Sequence, residues 1–323
     1  MDLPKSADVV IIGGGVMGAS TLYHLAAHGQ KNIVLLEQEE FFGQGATGRC
    51  AGGVRYQFST EVNIRLSLVS LPMLERFKEE IGQEVNYRKC GYLLVATDEE
   101  VVRAFERNVR LQHSLGVQTE WLSGDEVRGR LPLMRFDDAL AGTFHASDGL
   151  VDPNSVVAGY LGAAQRLGAR ALGAAGVTGI RVSGGKVRGV QTRAGSIDAA
   201  VVVNAAGPWA AQVGQMAGVQ IPIQPIRRQM FTTSAIPQIP ADFTFVIDFA
   251  QSLYFHPEGD GLMVGMSNHR QETGFGQSVD EEFELLNLEA AIARMPLLER
   301  ASRAAHAPSR LLASATRKLS GGR

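Results

Sequence analysis

The chain has 323 residues, 45% of them hydrophobic, which suits one large domain or two interlocked ones with a sizeable core. A net charge of −2 offers no basic surface to nucleic acid or an anionic membrane, and no apolar run is long enough to span a bilayer. The two cysteines, Cys50 and Cys90, lack metal-ligand spacing, so no metal is expected; a core strand due by Val9 leaves no room for a leader peptide, and a reducing cytoplasm is the expected location.

An apolar, β-branched run over 8–12 leads into Gly13-Gly14-Gly15-Val16-Met17-Gly18, and a helical stretch over 18–28 follows. This order is the phosphate turn of a dinucleotide-binding βαβ unit. Gly13 permits the tight turn, Gly15 lets backbone N–H groups approach a pyrophosphate, and Gly18 lets the helix pack close to the strand. The helix N-terminus turns its partial positive charge toward the phosphates. A second strand, 33–37, ends at Glu37, nineteen positions after Gly18. A carboxylate there accepts both hydroxyls of an adenosine ribose and repels a 2′-phosphate, which disfavours NADP. Gln38 beside it joins the candidate contacts. The motif alone does not separate FAD from NAD, and a glycine turn in an unrelated α/β protein is the plain alternative.

A small-residue loop follows: Gly45, Ala46, Thr47, Gly48, Arg49, Cys50, Ala51, Gly52 and Gly53. Small residues let backbone approach a flat ligand, and Arg49 or the loop N–H groups suit a phosphate or a ring edge. Arg55, just past the loop, has the fork that pairs bidentately with a substrate carboxylate; a structural ion pair is the alternative. Apolar spacing predicts a helix over 60–81, a strand over 91–97, an amphipathic helix over 99–115, a short helix over 121–131 and a strand over 141–144.

Asp152-Pro153 opens a helix over 154–167, with Pro153 near its first position. Strands are expected over 173–182 and 189–192, joined by Ser183-Gly184-Gly185-Lys186, with Val177 a further candidate cofactor contact. A buried strand over 199–204 ends at Ala205, Ala206, Gly207, Pro208 and Trp209, where small residues let a cofactor lie against the backbone. From Ile221 the pattern is β-rich, with strands at 245–248, 253–256 and 261–265 around a Glu258-Gly259-Asp260-Gly261 turn, and then a helix over 282–295. His145 and His256 are lone histidines, for which a structural role is the ordinary one; Tyr254 and His256 are carried as candidate site residues. No nucleophile elbow or metal-ligand cluster is present.

Read together, Ile11 to Gly18, Glu37, the loop from Ala46 to Arg55, Gly91-Tyr92-Leu93, Asp148 to Pro153, Asn204 to Trp209 and Tyr254 to Gly265 resemble the FAD-dependent amine oxidoreductases of the D-amino-acid oxidase superfamily. The chain looks most like the sarcosine oxidase beta-subunit-like and dimethylglycine dehydrogenase-like groups. The resemblance covers about 1–275, and the order of the pieces is more specific than any one of them. Gly52 to Ser59 also looks like a mitochondrial FAD-containing assembly factor of the same superfamily.

The resemblance implies an α/β fold: a Rossmann-like FAD-binding domain of the glutathione-reductase type, interleaved with an α+β substrate domain on a large mixed or antiparallel sheet. The expected division is 1–86 with 145–215 for FAD, 87–144 with 216–300 for substrate, and an atypical tail over 301–323. It implies extended FAD, with the adenine end at Gly13–Gly18 and Glu37, and hydride transfer from the α-carbon of a secondary or tertiary amino acid to flavin N5. The imine then hydrolyses. Arg55 matches the family's carboxylate-binding arginine, and Tyr254 its pocket aromatic. Met263 stands where some oxidases keep an oxygen-activating lysine, which favours a dehydrogenase. Arg49-Cys50 stands where dimethylglycine dehydrogenase-like members attach FAD through histidine, so non-covalent FAD is expected. The family continues with strand and loop elements beyond 300, and the different tail here leads to the expectation of a truncated or frame-shifted product. The expected ligand is a small amino-acid-like substrate (sarcosine-, dimethylglycine-, proline- or glycine-like), with an unnamed electron acceptor and a possible companion subunit. The alternatives are a non-catalytic FAD-binding protein of the assembly-factor kind, an inactive truncated member, and an NAD-linked dehydrogenase.

Overall fold

A computed structural model describes residues 2–300; the segment 301–323, expected as an atypical tail, lies outside them. The chain begins β1 (Val9–Ile12), α1 (Val16–Ala27), β2 (Ile33–Leu36), β3 (Gly53–Val54), α2 (Glu61–Glu75), α3 (Phe77–Ile81), β4 (Tyr92–Ala96), α4 (Glu99–Ser114), β5 (Glu120–Ser123), α5 (Gly124–Arg130), β6 (Ala141–His145) and β7 (Gly149–Leu150). It continues with α6 (Pro153–Arg166), β8 (Arg170–Leu172), β9 (Val177–Ser183), β10 (Lys186–Thr192), β11 (Gly195–Asp198), β12 (Val201–Asn204) and α7 (Ala210–Met216). β13 (Gln229–Thr232), β14 (Phe245–Asp248), β15 (Leu253–Glu258), β16 (Gly261–Met266) and α8 (Glu281–Arg294) complete it.

β1 and β2 are apolar at every position and buried on both faces, as interior parallel strands are. They sit in a parallel sheet of order β12-β1-β2-β8. Successive side chains point to opposite faces. Val9, Ile11, Ile33 and Leu35 therefore meet Leu22 of α1 and Tyr160 and Leu161 of α6. Val10, Ile12, Val34 and Leu36 meet Val190 and Ile197 of the β9-β10-β11 meander.

The second sheet has seven strands in the order β13-β16-β15-β14-β4-β6-β5. It is mixed: β14 runs parallel to β4, and the other pairings are antiparallel. One face carries Leu93, Val95, Val246, Phe255, Leu262 and Val264 onto Ala291 and Met295 at the end of the chain's last long helix. The opposite face carries Tyr92, Leu94 and Phe245, with Tyr254 and Ala51 packed beside them. The first sheet thus draws on 9–36 and 170–204, the second on 92–145 and 229–266, so the chain passes back and forth between them.

Several elements differ from the sequence reading. The helix expected over 60–81 is two, parted at Arg76 shortly after Pro72, whose ring nitrogen has no N–H for the helical ladder. The helix expected over 121–131 starts only at Gly124. Ser123 and Glu126 form a reciprocal capping box there, which leaves Trp121 and Leu122 in β5 at the edge of the large sheet. The strand expected over 173–182 starts only at Val177, as β9, while the unanticipated β8 just before it joins the parallel sheet; between them is a bend in which Ala174 has φ 49° and the N–H groups of Ala174 and Ala175 donate to the Glu39 and Glu37 carbonyls. β11 was not anticipated, because its alternation is weak. The strand expected as buried over 199–204 is the outer strand of its sheet, and Val201 is 49% exposed. Among the described residues no helix is long and apolar enough to cross a membrane, and no group of three or more His, Cys, Asp or Glu is placed to hold a metal.

Candidate active site

The turn after β1 tolerates only glycine at two points. Gly13 has φ 111°, and a Cβ there would strike the Ala205 carbonyl; a Cβ on Gly18 would strike the Gly13 carbonyl. The close approach of α1 to the turn therefore depends on both. Gly15, the N-cap of α1, makes no side-chain cap, while the Thr47 hydroxyl accepts from Val16 N at 3.1 Å. Gly15, Val16 and Met17 at the start of the helix line the adjoining space, where the N-terminal partial charge favours an anion. Glu37 Oε2 accepts from Gly14 N at 2.6 Å and Oε1 from Glu39 N at 2.9 Å. The carboxylate is fixed in direction, and its oxygens keep lone pairs for further hydroxyl donors.

A cavity of about 1030 Å³ runs from this turn. It is lined by Gly13, Gly14, Gly15, Val16, Met17, Glu37, Gln38, Gly45, Ala46, Thr47, Arg49, Gly52, Gly53, Val177, Ala205, Ala206, Gly207 and Trp209. Two candidate cofactor residues do not line it. Gly18 is buried beneath the turn, and Gly48 faces a neighbouring cavity of about 770 Å³ that shares Arg49, Cys50 and Gly52 with the first. The Asn204 side chain donates to Ala210 O at 2.8 Å and accepts from Ala206 N at 3.2 Å, which sets the backbone at Ala205–Gly207 along the cavity wall. A cavity of this size, lined by a glycine turn, the first residues of a helix and a fixed carboxylate, fits a dinucleotide.

Arg55, Tyr254 and His256 line neither cavity. They are gathered instead on the aromatic face of the large sheet. The ring of Tyr92 stacks on Phe245 at 4.0 Å, and Phe245 in turn stacks on His256 at 4.9 Å and Tyr254 at 5.8 Å. The Arg55 guanidinium lies 4.8 Å from the Phe58 ring centre and 5.9 Å from that of Tyr92. Among the described residues it has no carboxylate or hydrogen-bond partner. An arginine held over aromatic rings without a counter-ion is available to a ligand carboxylate.

The segment carrying Arg55 is pinned by Asp148, which is 0% exposed. Its Oδ1 accepts from Tyr56 N at 2.7 Å and its Oδ2 from Gln57 Nε2 at 3.0 Å; the same Gln57 nitrogen also reaches Tyr92 O at 2.9 Å. His145 Nδ1 lies 3.2 Å from Asp148 Oδ1 without hydrogen-bond alignment. Burial pushes the Tyr254 phenol well above its ordinary pKa, and its hydroxyl reaches only Met230 Sδ, at 3.9 Å. Gly265 makes room for that ring, since a Cβ there would strike it.

His256 is 1% exposed, and burial lowers its pKa to about 4, so the ring is neutral near pH 7. Its Nδ1 lies 3.0 Å from Pro257 O. A carbonyl only accepts, which assigns the proton to Nδ1 and leaves the buried Nε2 lone pair without a donor.

Sequence reasoning passed over Asp148 and Gln57 as site residues, and treated Cys50 as an ordinary structural thiol. Cys50 lines both cavities, and burial pushes its thiol up, so it stays protonated. Its place in the small-residue loop was the available signal. Asp148 gave a weaker one, as a carboxylate directly before Gly149 in a stretch of family-like sequence.

Comparison with known proteins matches residues 8–314 to the family described as DAO, FAD dependent oxidoreductase. Mitochondrial sarcosine dehydrogenase of Homo sapiens is 33% identical over 315 residues, covering 92% of this chain and 34% of its own length. Mitochondrial dimethylglycine dehydrogenase of Rattus norvegicus is 31% identical over 315 residues, covering 91% of this chain and 36% of its own. The chain thus spans about a third of the length of these relatives. The L-proline dehydrogenase structure from P. horikoshii superposes with a TM-score of 0.85 at 28% identity, covering 93% of this chain and 80% of that one.

Proposed function

The chain belongs to the DAO family of FAD-dependent oxidoreductases, and from that premise we propose that it oxidises the C–N bond of a small secondary or tertiary amino acid. The observation that carries the proposal is Arg55, a guanidinium without a counter-ion on an aromatic wall, next to a loop that lines a dinucleotide-shaped cavity. FAD, when bound, would supply the two-electron acceptor; Gly13–Met17, Glu37, Gln38, Gly45–Thr47 and Arg49, which line the larger cavity, would hold it. Arg55 binds the substrate carboxylate and thereby fixes the α-carbon, while Asp148 and Gln57 hold the Arg55 segment still. Tyr92, Phe245 and Tyr254 present an apolar wall that keeps water from the reacting C–H bond. His256, neutral and buried, stiffens that wall by stacking on Phe245.

The finer features belong to the same proposal. FAD is held non-covalently: the Arg49 side chain hydrogen-bonds Gln277, and a guanidinium is no attaching nucleophile. Met263, opposite His256 in the sheet register, offers an uncharged thioether rather than a cation for oxygen, which supports a dehydrogenase with a separate electron acceptor and a possible companion subunit. The division into 1–86 with 145–215 and 87–144 with 216–300 is supported by the two separate large sheets. Two unpaired cysteines support a cytoplasmic setting.

The test is anaerobic. FAD-loaded protein is mixed with sarcosine, dimethylglycine or proline, and the visible flavin band is followed. Bleaching by one of them is expected. Arg55→Met is expected to raise KM about 10- to 100-fold, the loss of a charge-assisted contact of about 1.5–3 kcal/mol. A flavin band that no amine bleaches would favour the non-catalytic reading, and an unchanged KM in the variant would remove Arg55 from the site.

A further inference from the structure

Arg227 and Arg228 stand side by side just before β13, and their surroundings differ sharply. Arg227 is engaged by Gln271 Oε1 at 3.1 Å, the Ser278 carbonyl and hydroxyl, and Asp280 Oδ2 at 3.6 Å. Arg228 makes only one hydrogen bond among the described residues, a long 3.4 Å contact from Nη1 to Arg227 O. It is half-buried, and burial lowers its pKa. Alternation along an extended chain puts Arg228 on the same face as Met230, two residues on. Met230 pairs in register with Gly265, which pairs with Tyr254, so this is the aromatic face.

On that face the Tyr254 hydroxyl has, among the described residues, only the Met230 thioether as acceptor, 3.9 Å away. Sulfur is a weak acceptor. The same face therefore carries, around Met230, a guanidinium without an anion and a phenol O–H without an oxygen acceptor among the described residues. Withdrawing both from water is unfavourable unless something arrives to accept from them. A carboxylate has two oxygens and can accept from both at once.

Arg55 occupies the other end of the same wall. Tyr92, beside Arg55, stacks on Phe245, and Phe245 stacks on Tyr254, so one continuous aromatic wall carries both cations. We propose that Arg228 and the Tyr254 hydroxyl form a second carboxylate subsite, and that the substrate class is an amine carrying two acidic groups, such as an N-carboxymethyl amino acid. One group goes to Arg55 and the other to Arg228 and Tyr254. The inference rests on the reading of Arg55 as the first carboxylate anchor.

Sarcosine and iminodiacetate test it, because both are N-substituted glycines and the second adds one carboxylate. With the FAD-loaded chain under anaerobic conditions, iminodiacetate is expected to reduce the flavin with a kcat/KM at least tenfold above that of sarcosine, expressed mainly in KM. Arg228→Met is expected to lower that ratio at least tenfold and Tyr254→Phe severalfold, whereas Arg55→Met weakens both substrates. No preference in the parent protein, or an equal loss for both substrates in Arg228→Met, overturns the subsite. Binding without turnover separates this from a failure of the proposed reaction. Thiodiglycolate and methylthioacetate, which cannot be oxidised as amines, are compared by calorimetry. Tighter thiodiglycolate binding that Arg228→Met abolishes upholds the subsite even if no amine bleaches the flavin, and equal binding of the two acids refutes it.

Discussion

The parallel sheet and the seven-stranded sheet contribute to the site by different means. Around β1 and β2 the contacts are mostly backbone: glycine carbonyls, first-turn N–H groups, and one carboxylate fixed by two N–H donors. Most of its polar groups are engaged within the turn. On the aromatic face of the large sheet the contacts are side chains, and several are unfinished among the described residues: Arg55 and Arg228 lack anions, and His256 Nε2 lacks a donor. A cofactor shared across many proteins can be held by backbone geometry. Choice among substrates needs particular side chains, and these hold incomplete bonds until the substrate completes them.

Four measurements sharpen that contrast. The largest effect is expected from Gly18→Ala, because the new methyl would displace the Gly13 carbonyl and with it the phosphate turn. Overpacking there should cost stability at the upper end of about 1–3 kcal/mol, and the protein should lose its flavin absorbance on desalting. Retention of flavin with an unchanged melting temperature would show that the turn is not the cofactor's seat.

Asp148→Ala strikes the other region. It strands the Tyr56 N–H and one N–H of the Gln57 amide, whose nitrogen keeps its bond to Tyr92 O. A loss of about 3 kcal/mol is expected from denaturant melts, together with weaker carboxylate binding and a normal flavin spectrum. Equal losses of flavin and carboxylate would erase the distinction between the two regions.

His256 gives the comparison a pH axis. Its folded pKa is about 4, against about 6.5 when unfolded, so between those values the unfolded chain binds more protons. Stability is therefore full above about pH 6.5 and falls as pH drops toward 4, by about 3 kcal/mol in all. His256→Phe should flatten that part of the stability–pH curve. A curve of unchanged slope would mean that another group carries it.

The smallest effect is expected from Ser123→Ala, which removes the capping box of α5 at the far edge of the large sheet. About 1 kcal/mol of stability should go, with flavin and carboxylate binding both intact. A change in either affinity would show that the edge is coupled to the aromatic wall.

Much of the nucleotide side was legible in the chain, because its parts lie close together in sequence. Gly13 and Gly18 meet within a single turn, and Glu37 reaches back only 23 positions to Gly14. Short apolar runs also announced most strands of the large sheet. They could not tell that Ser123 would start a helix late, or that β8 and β9 would join different sheets, since the choice depended on neighbouring strands.

The sequence by itself determined the glycine turn, the Glu37 carboxylate at the end of the second strand and the aromatic and basic residue types available for a site. Only the tertiary structure decided which of those residues meet and which stay unpaired. Asp148 clamps Tyr56 from 92 positions away, and Arg227 finds Ser278 and Asp280 while its neighbour Arg228 finds no anion. Burial and pairing are properties of the assembled surroundings, and no local pattern carries them.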